Sequence, residues 1–422
     1  MHPQNMLFED LSISKSLQRA VIDLGYKEAT PIQEKSIPII LSGSDLVGCA
    51  QTGTGKTAAF AIPIVNHLHK IVGSSNKSKK IRTLVVTPTR ELALQIGESF
   101  DNYAKYTNLR QLTVFGGVSQ VPQVDVLKKG IDILIATPGR LLDLHKQGFI
   151  DLDHLHTLVL DEADQMLDMG FINDVKKIVK LTPTNRQTLL FSATMPMAIR
   201  ELAENFLNKP QYVSVTPVSS TAETVQQQIY FVAKEDKRKL LYHLLRNENI
   251  KHVLVFARTK HGADNVVKAL KKNGVTAEAI HGDKSQGARQ RALDNFKNRE
   301  VDVLVATDIA ARGIDIDQLP HVINFDLPNI PETYVHRIGR TGRAGNGGIA
   351  ISFCGRDEEP YWKDIQKLIK VNVKTIKDHP FPWKETEPNP EAKPDLRNKK
   401  NPSGKNNSRK SDASKKNKKR WY

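Results

Sequence analysis

One stretch near the N-terminus constrains this chain more than any other, because few folds can present it. It reads Ala50-Gln51-Thr52-Gly53-Thr54-Gly55-Lys56-Thr57. The apolar run at residues 45–49 predicts a buried strand before it, and residues 58–62 predict a helix after it. A strand, a glycine-rich turn and Gly-Lys-Thr at a helix start form an arrangement whose backbone N–H groups surround a triphosphate.

Each residue type in this loop suits a phosphate site. Gly53 and Gly55 let the chain turn without a Cβ clash. Lys56 can add a charge to the β- and γ-phosphates, and the Thr57 hydroxyl can bind Mg²⁺. Ala50 stands where the general pattern has its first glycine, so a chance glycine-rich helix start is the competing interpretation.

An acidic strand end downstream supplies the other half of a nucleotide site. Residues 158–160 are apolar, and Asp161-Glu162-Ala163-Asp164 follows them. A buried strand here would deliver Asp161 to Mg²⁺, and Glu162 could align and polarise the attacking water. The alternative is a surface acidic cluster, which the glycine-rich loop upstream disfavours.

Short β-rich runs alternate with amphipathic helical stretches from residue 7 to about 208. The strand candidates are residues 83–86, 131–136, 157–160 and 188–191. Polar clusters follow them: Thr87-Pro88-Thr89-Arg90, Thr137-Pro138-Gly139-Arg140, Asp161 to Asp164, and Ser192-Ala193-Thr194. Functional residues at the carboxyl ends of parallel strands are typical of an open α/β sheet.

The same alternation restarts after a break. Residues 209–223 are rich in Pro, Ser and Thr, so we interpret them as a linker. Further strand candidates follow at residues 252–256, 277–280, 301–306 and 321–325. The predicted organisation is therefore a first domain at 1–208, the linker, a second domain at 224–375, and a disordered basic tail at 376–422.

Charge is concentrated in that tail. The chain of 422 residues has a formal net charge of +16. Residues 393–420 hold twelve Lys and Arg against two Asp, a local +10 that leaves about +6 for the rest. Such a balance favours a polyanionic partner, and the tail is either a nonspecific tether for that partner or a solvated end without a specific role.

Location is predicted from what the sequence lacks. The chain has no apolar run approaching a membrane span, and residues 1–5 do not resemble a signal peptide. Cys49 and Cys354 fall in different predicted domains, which makes a disulfide or metal site unexpected. We therefore expect a soluble, cytoplasmic protein with no membrane partner.

The second domain carries a basic loop, His336-Arg337-Ile338-Gly339-Arg340-Thr341-Gly342-Arg343. Charge alternating with glycine suits a loop that delivers guanidinium groups to a phosphoryl group in transfer. A loop that only touches nucleic acid is the rival interpretation.

Taken in order, these motifs resemble the DEAD-box ATP-dependent RNA helicases of superfamily 2, and within them the bacterial RhlE type. The resemblance covers residues 7 to about 370. It implies two tandem RecA-like, doubly wound parallel-sheet domains joined by a short linker. It also implies ATP and Mg²⁺ as cofactors, and RNA bound without sequence specificity as the partner.

The resemblance assigns site residues by position. Catalysis falls to Lys56, Asp161, Glu162, Arg340 and Arg343, with Thr57 and Asp161 on the metal. ATP would be bound by Phe8, Tyr26, Gln33, the loop from Ala50 to Thr57 (with Gln51, Thr52, Gly53, Thr54 and Gly55), and Asp315. A Gln33 carboxamide suits the N6/N7 edge of adenine, and Tyr26 can stack on its ring. Coupling between ATP and RNA would involve Ser192, Thr194 and His336.

The RNA-binding set comes from both domains. It comprises Pro88, Thr89, Arg90, Gly116, Gly117, Thr137, Pro138, Gly139, Arg140, Arg258, Gly282, Gln286, Arg289 and Thr307. Hydroxyls, backbone N–H groups and single arginines suit phosphates and ignore base identity.

The expected function is RNA-stimulated ATP hydrolysis with local, non-processive opening of short RNA duplexes, in ribosome assembly or RNA turnover. Ribosomal precursor particles or RNA-decay proteins are the expected assemblies. An ATP-gated RNA clamp with little unwinding is the alternative, and a DNA-directed helicase is a third. Intact Glu162, Arg340 and Arg343 favour turnover over a pure clamp.

Overall fold

Two seven-stranded β-sheets organise the computed structural model, which describes residues 6–51, 53–72, 80–215, 225–247, 250–311, 316, 319–342 and 348–383. All the strand pairs within the two sheets are parallel. Each sheet with its helices forms one domain, as the α/β pattern predicted.

The first sheet has the strand order β3-β4-β2-β5-β6-β1-β7. Its strands are β1 (Leu46–Cys49), β2 (Thr83–Val86), β3 (Gln111–Val114), β4 (Ile133–Ala136), β5 (Thr157–Leu160), β6 (Gln187–Ser192) and β7 (Gln211–Ser214). Its helices are α1 (Lys15–Asp23), α2 (Pro31–Leu41), α3 (Lys56–Val72), α4 (Arg90–Ala104), α5 (Val121–Lys128), α6 (Pro138–Lys146), α7 (Ala163–Asp168), α8 (Ile172–Lys180) and α9 (Met197–Phe206). A 3₁₀ turn, Phe8–Asp10, precedes them.

The second sheet has the strand order β10-β11-β9-β12-β13-β8-β14. Its strands are β8 (Gln226–Phe231), β9 (Val253–Phe256), β10 (Ala277–Ile280), β11 (Val303–Ala306), β12 (His321–Asn324), β13 (Ile349–Cys354) and β14 (Lys374–Ile376). Its helices are α10 (Lys237–Asn247), α11 (Lys260–Lys272), α12 (Gln286–Lys297), α13 (Asp308–Ala311), α14 (Pro331–Ile338) and α15 (Glu359–Ile369), with a 3₁₀ turn at Arg356–Glu358.

Both faces of the first sheet are buried, which is why its central strands are largely apolar. Along β5, Val159 belongs to the core beneath α1–α4, whereas Leu158 and Leu160 belong to the core beneath α5–α9. Successive side chains of a strand point to opposite faces, so a strand covered by helices on both sides needs a nearly unbroken apolar run. The carboxyl ends of the parallel strands then share one edge of the sheet, where the polar clusters follow.

The linker prediction starts too early. Residues 211–214 form β7, which pairs in register with β1, from Leu46 opposite Gln211 to Cys49 opposite Ser214. Three of the four β7 residues are exposed, so this edge strand shows little of the apolar signal that identifies a buried one. Residues 216–223 of the predicted linker lie outside the described residues.

The disordered-tail prediction also starts too early. Ile376 belongs to β14, and the chain beyond it continues to pack on the second domain. The Trp383 ring stacks on Phe231 with centroids 5.3 Å apart, and His379 packs against Tyr230 at 5.4 Å. These aromatic contacts bury surface that the polar composition of the segment does not suggest. The remainder of the predicted tail, 384–422, lies outside the described residues.

Two further features bear on the expected location and chemistry. Among the helices of the described residues, none is long and apolar enough to cross a membrane. Cys49 and Cys354 are both free thiols. Burial raises the pKa of each thiol, which makes both poor nucleophiles.

Candidate functional site

The glycine-rich loop connects β1 to α3, as its sequence predicts. Gly53 and Gly55 have φ values of 75° and 92°, a region that side chains with a Cβ avoid. Lys56 is the first residue of α3, and its buried Nζ donates to the Ala50 carbonyl at 2.7 Å. The lysine thus folds back onto its own loop, where an incoming phosphate would compete for its charge. Thr52 lies outside the described residues.

The start of α2 holds this loop in place. The Gln33 side chain accepts from the Thr30 backbone N–H at 2.9 Å and donates to the Gly55 carbonyl at 3.1 Å. The Thr30 hydroxyl donates to the Thr54 carbonyl at 2.8 Å. Gln33 is buried, and both ends of its carboxamide have partners within the protein. It connects the predicted adenine-reading segment to the phosphate loop; its contact with adenine stays a prediction.

Aromatic rings surround the other predicted adenine residues. Phe8 and Tyr26 stack with centroids 5.3 Å apart at 25°. The Tyr26 hydroxyl lies 3.1 Å from that of Tyr103, a residue that no sequence motif indicated. Tyr26 remains 36% exposed, so part of its ring is available for a ligand. The Phe8 backbone N–H donates to the Lys27 carbonyl at 3.0 Å, which ties the N-terminal segment to this surface.

Two buried carboxylates follow β5. Glu162 has left-handed backbone geometry, with φ 53° and ψ 51°, and its N–H donates to Asp161 Oδ1 at 3.0 Å. Burial raises the pKa of both carboxyls, and the positive charge of Lys56 opposes that rise. Glu162 Oε2 is buried and has no hydrogen-bond partner among the described residues. A strained backbone that presents an unsatisfied carboxylate oxygen fits a role in catalysis.

These residues suit Mg²⁺. Carboxylate and hydroxyl oxygens are its preferred ligands, and it usually binds through one or two protein groups together with substrate phosphates and water. Asp161 and Thr57 supply such oxygens, from a strand end and a helix start. Among the described residues there is no cluster of three or more His, Cys, Asp or Glu that could hold a metal alone.

Asp164 is a further site residue, to which the sequence motifs assigned no role. Its Oδ2 accepts from both the Thr194 N–H, at 2.8 Å, and the Thr194 hydroxyl, at 2.9 Å. Its own N–H donates to the Ser192 hydroxyl at 3.2 Å, and that hydroxyl donates to the Thr194 carbonyl at 2.7 Å. The acidic strand end and the predicted coupling segment are therefore one hydrogen-bonded unit. An aspartate three residues after Asp161, beside a Ser-x-Thr strand end, was the available signal.

Residues of the second domain approach this unit. Gln165 and Ala193 of the first domain share a cavity of about 30 Å³ with Phe256, His336 and Arg340 of the second. Burial has the largest effect on the Glu162 pKa and raises it. The Lys56 charge lowers this pKa, the Asp161 charge raises it, and the Arg340 charge lowers it. Arg340 and His336 thus lie at the boundary between the two domains, and their roles in catalysis and coupling stay predictions. Arg343 and Asp315 lie outside the described residues.

Arg337, which lies between His336 and Arg340 in the sequence, has a structural role. Arg337 is 2% exposed and pairs with Asp308 through Nε at 2.5 Å and Nη2 at 2.8 Å. Its Nη1 donates to Asn324 Oδ1 at 3.1 Å and to the Asp326 carbonyl at 2.6 Å. With these partners Arg337 braces the start of α13 against β12.

A cleft of about 500 Å³ contains most of the predicted RNA-binding residues. The predicted residues that line it are Pro88, Thr89, Arg90, Gly116, Thr137, Gly139, Arg140, Gly282 and Arg289. Arg140 is oriented by donating to Gln123 Oε1 at 3.0 Å and to the Val118 carbonyl at 2.9 Å. A Cβ on Gly117 would collide with the Arg90 guanidinium, so this glycine permits the arginine's position. Pro138 is buried at the start of α6.

Glu91 joins the two domains at this cleft. Its Oε1 lies 3.0 Å from Arg289 Nη2 and accepts from Gln286 Nε2 at 3.0 Å. Arg90 Nη1 donates to Gln286 Oε1 at 3.3 Å. Gln286 and Arg289, predicted as RNA contacts, thus also hold a bridge between domains. Glu91 was not singled out from the sequence.

Two residues predicted to bind RNA, Arg258 and Thr307, are not among those that line this cleft. Arg258 Nη2 lies 2.6 Å from Glu358 Oε1 and donates to the Leu327 carbonyl at 3.0 Å. This arginine therefore belongs to an ion-pair network within the second domain and does not line the cleft. Thr307 follows β11 and accepts the first hydrogen bonds of α13 from Ala310 and Ala311 through its carbonyl. Their contacts with RNA stay predictions.

Comparisons with known proteins agree with this arrangement. The family model described as DEAD/DEAH box helicase matches residues 30–202, and the helicase conserved C-terminal domain matches residues 236–345. The ATP-dependent RNA helicase CshA of Listeria monocytogenes is 44% identical over 87% of this chain and 70% of its own. The DEAD-box ATP-dependent RNA helicase CshA of Geobacillus kaustophilus is 44% identical over 88% of this chain and 78% of its own.

A solved structure shows the same fold. Mss116p bound to ssRNA and AMP-PNP superposes with a TM-score of 0.79 at 27% identity, over 89% of this chain and 80% of that one. The RhlE type expected from the sequence finds no support, because both of these bacterial relatives carry the CshA name. With both halves of the chain matched by helicase models and close relatives aligned along most of its length, the chain belongs to the DEAD-box family of ATP-dependent RNA helicases.

Proposed function

We propose that the chain hydrolyses ATP at the first-domain edge formed by the glycine-rich loop and the buried carboxylate pair, with Arg340 completing the site from the second domain. The observation that carries this assignment is the buried Glu162 carboxylate, whose Oε2 has no hydrogen-bond partner among the described residues. The charges of Lys56 from the glycine-rich loop and of Arg340 from the second domain both lower its pKa, against the rise that burial causes. We therefore centre the proposed reaction on Glu162.

In the proposed reaction Lys56 leaves the Ala50 carbonyl and binds the β- and γ-phosphates. Glu162 accepts a hydrogen bond from the attacking water through the oxygen that has no partner among the described residues. The water oxygen bonds to the γ-phosphorus while the water's proton passes to the Glu162 carboxylate, which then releases it to a phosphate oxygen. The bond from the γ-phosphorus to the β–γ bridging oxygen breaks, and ADP and inorganic phosphate form. Mg²⁺ held by Asp161 and Thr57 would neutralise phosphate charge. Arg340, and Arg343 by its place in the motif, would stabilise the charge on the phosphoryl group in transfer.

RNA binding is assigned to the 500 Å³ cleft. Small residues, hydroxyls and arginines there can contact phosphates and sugars without reading base identity. We expect little sequence preference, an affinity that falls steeply with salt, and a preference for RNA over DNA through the 2′-hydroxyl. Arg258 would contact RNA only after its ion pair with Glu358 breaks. Otherwise it would affect RNA binding only indirectly, by stabilising the structure of the second domain.

Coupling would run through the Asp164–Ser192–Thr194 unit and the bridge from Glu91 to Arg289. Both domains contribute to the nucleotide site and to the RNA cleft, so each ligand would stabilise the same closed arrangement. RNA must then strengthen ATP binding by the same factor by which ATP strengthens RNA binding.

We infer local opening of short duplexes and no long processive unwinding. A stack step in a duplex is worth about 1.4 kcal/mol, so separating a few pairs requires several kcal/mol. A set of new phosphate contacts together with ATP-driven closure is of that order. Turnover then reopens the domains and releases the strand.

The test measures ATP turnover and strand displacement on matched ten-base-pair RNA and DNA duplexes. The assignment predicts RNA-stimulated hydrolysis and displacement of the RNA duplex only. Displacement without hydrolysis, or equal action on DNA, would contradict it. ATP-dependent binding without displacement would instead favour the RNA clamp.

For the cell, we propose that the RNA belongs to ribosomal precursor particles or to decaying messages, and that the chain works in the cytoplasm. The support is compositional: a net charge of +16 and RNA recognition that ignores sequence. The basic segment 384–422 would tether structured RNA. Deleting it should weaken duplex affinity and leave basal ATP hydrolysis unchanged.

A further inference from the structure

A groove on the second domain is lined, among the described residues, by none of those predicted to bind ATP or RNA. It lies between α10 and α11, has a volume of about 450 Å³, and is bounded at one side by Phe381. We call it the α10–α11 groove. Its volume falls within the range of about 300–1,000 Å³ typical of sites that bury a drug-sized ligand. It therefore has room for one or two large apolar side chains.

The floor of the groove is apolar. Leu241 and Leu270 are almost fully buried beneath it, and Val266 and Ala269 lie beside them. Phe381 is half-buried, and its ring meets the edge of His243 at 6.3 Å. Apolar floors of this kind between two helices accept a side chain from an amphipathic segment.

The rim of the groove is basic. Arg238, Lys239 and Arg246 line it, and no Asp or Glu does so among the described residues. The Tyr242 hydroxyl accepts from Arg246 Nη1 at 2.7 Å, which limits the positions of that guanidinium. Lys239 pairs with Asp236 at 2.8 Å, but the lysine is 68% exposed, so the pair is weak and a partner carboxylate can replace it.

From this combination we propose that the α10–α11 groove docks an acidic peptide segment of another protein, with one or two large apolar side chains seated between the helices. Carboxylates of the segment would pair with Arg246, Arg238 and Lys239. The site does not share residues with the RNA cleft or the ATP site, so a bound partner leaves both accessible. A helicase held in this way could work within a larger assembly.

Other occupants fit less well. The chain's own segment 384–422 follows Trp383 in the sequence, but residues 393–420 carry a net +10 and would be repelled by a basic rim. The bases of RNA would need free aromatic faces for stacking, whereas the Phe381 and His243 rings of the groove pack against each other and the side chains between the helices are aliphatic. A second copy of this chain is the remaining candidate, and its association is measured in the test.

The experiment selects random 16-residue displayed peptides on the full chain at 150 mM salt, with the ATP and RNA sites saturated by AMP-PNP and oligouridine. The proposal predicts enrichment of peptides in which Asp or Glu flanks a large apolar residue. A synthetic peptide from the enriched set should protect residues 237–247 and 260–272 from amide hydrogen exchange. No enrichment, enrichment without acidic residues, or protection elsewhere would overturn the proposal.

Two variants test the groove directly. Arg246→Glu reverses an exposed rim charge and should weaken peptide binding at least tenfold, whereas Ala269→Glu should abolish it by blocking the floor. Lys180→Glu makes the same charge change at an exposed position of α8 and should alter affinity less than twofold. RNA-stimulated ATP turnover, measured on every variant, reports whether the fold is intact.

The remaining outcomes assign the groove to other occupants. Equal peptide affinity of Arg246→Glu and Lys180→Glu would overturn the proposal. So would a loss of single-stranded RNA affinity in Arg246→Glu that Lys180→Glu does not share, since the groove would then be an RNA surface. Concentration-dependent dimerisation that Ala269→Glu abolishes would also overturn it, because the groove would then be an interface between copies.

Discussion

At the scale of single residues, the groups expected to act on ATP are held by contacts that a nucleotide must replace. Lys56 donates to Ala50, and Gln33 bridges Thr30 and Gly55. Glu162 is the exception, because one of its oxygens has no partner among the described residues. This buried carboxylate oxygen is therefore available to a ligand, and leaving it without a partner lowers the stability of the fold. Substitutions of Glu162 therefore have testable effects on both turnover and stability.

Glu162→Gln should lower ATP turnover by about 10²–10⁴-fold, the usual contribution of a positioned base. The carboxamide keeps the shape of the side chain but cannot polarise water in the same way. RNA binding in the presence of ATP should persist and outlast that of the parent chain. Single-turnover hydrolysis and RNA dissociation rates check both effects. Glu201→Gln, on the exposed face of α9, is the matched control; turnover within threefold of the parent in Glu162→Gln would exclude the assignment.

The same variant should be more stable than the parent chain at pH 8. Burial raises the pKa of Glu162 in the fold above its value in the unfolded chain. Between those two pKa values the folded chain binds more protons, so the free energy of unfolding falls as the pH rises through this window. Glu162→Gln removes this loss, and each kcal/mol recovered raises the unfolding midpoint by about 2–4 °C.

The measurement is the difference in unfolding midpoint between variant and parent from pH 4 to pH 8. It should be small at pH 4, where the carboxyl is largely neutral in both states, and largest at pH 8. A difference that does not vary with pH would show that this carboxyl's ionisation does not limit stability.

At the scale of secondary-structure elements, function is concentrated where β5 and β6 end side by side. Asp164, in the first turn of α7, accepts two hydrogen bonds from Thr194 after β6. This contact fixes the segment after β6 relative to the carboxylates after β5. A shift of either strand end would be transmitted to the other, which is what coupling between sites requires.

Asp164→Asn should uncouple RNA from ATP hydrolysis. Asp164 Oδ2 accepts from Thr194 and Oδ1 accepts from the Gln165 N–H at 3.1 Å, whereas asparagine keeps only one acceptor oxygen. Whichever side that oxygen faces, a donor on the other side meets an amide N–H and loses its acceptor, at a cost of about 1–3 kcal/mol. We expect RNA stimulation to fall at least tenfold while the affinity for ATP changes little. ATP titrations with and without RNA separate these quantities, and Asp174→Asn on α8 is the control. Equal losses of basal and stimulated turnover would indicate a general defect instead.

At the scale of the whole molecule, the bridge across the RNA cleft links the two domains. Glu91 on α4 meets Arg289 and Gln286 on α12, and its side chain is 4% exposed. A buried carboxylate that loses its charge leaves the guanidinium without a partner, which is costly in a site shielded from water. The closed arrangement therefore depends on this carboxylate.

Glu91→Gln should lower the fraction of closed molecules at fixed AMP-PNP and RNA. Energy transfer between one dye on each domain measures that fraction. Glu98→Gln lies on the same helix but is exposed, and should leave it unchanged. We expect at least a fivefold rise in the RNA concentration needed for half closure; identical closure curves for both variants would remove the bridge from the mechanism.

The sequence by itself determined the buried strands and the glycine-rich turn of this protein. Apolar runs predicted β2 and β5 at their observed bounds, because strands covered on both faces are apolar at almost every position. The glycine-rich loop predicted the start of α3 for an equally local reason. Strands with polar residues escaped this signal: β8 begins Gln226-Gln227-Gln228, and β7 lies at an edge.

Tertiary structure alone decided which partners these elements meet. The sequence placed Asp164 and Thr194 after two separate strands but did not show that they pair, that Glu91 binds Arg289, or that Arg258 binds Glu358. Those pairs lie 30 to 198 positions apart, and a hydrogen bond or ion pair depends on distance and burial. Composition likewise assigned Phe381 and Trp383 to a disordered tail, because only the folded second domain provides the rings on which they pack.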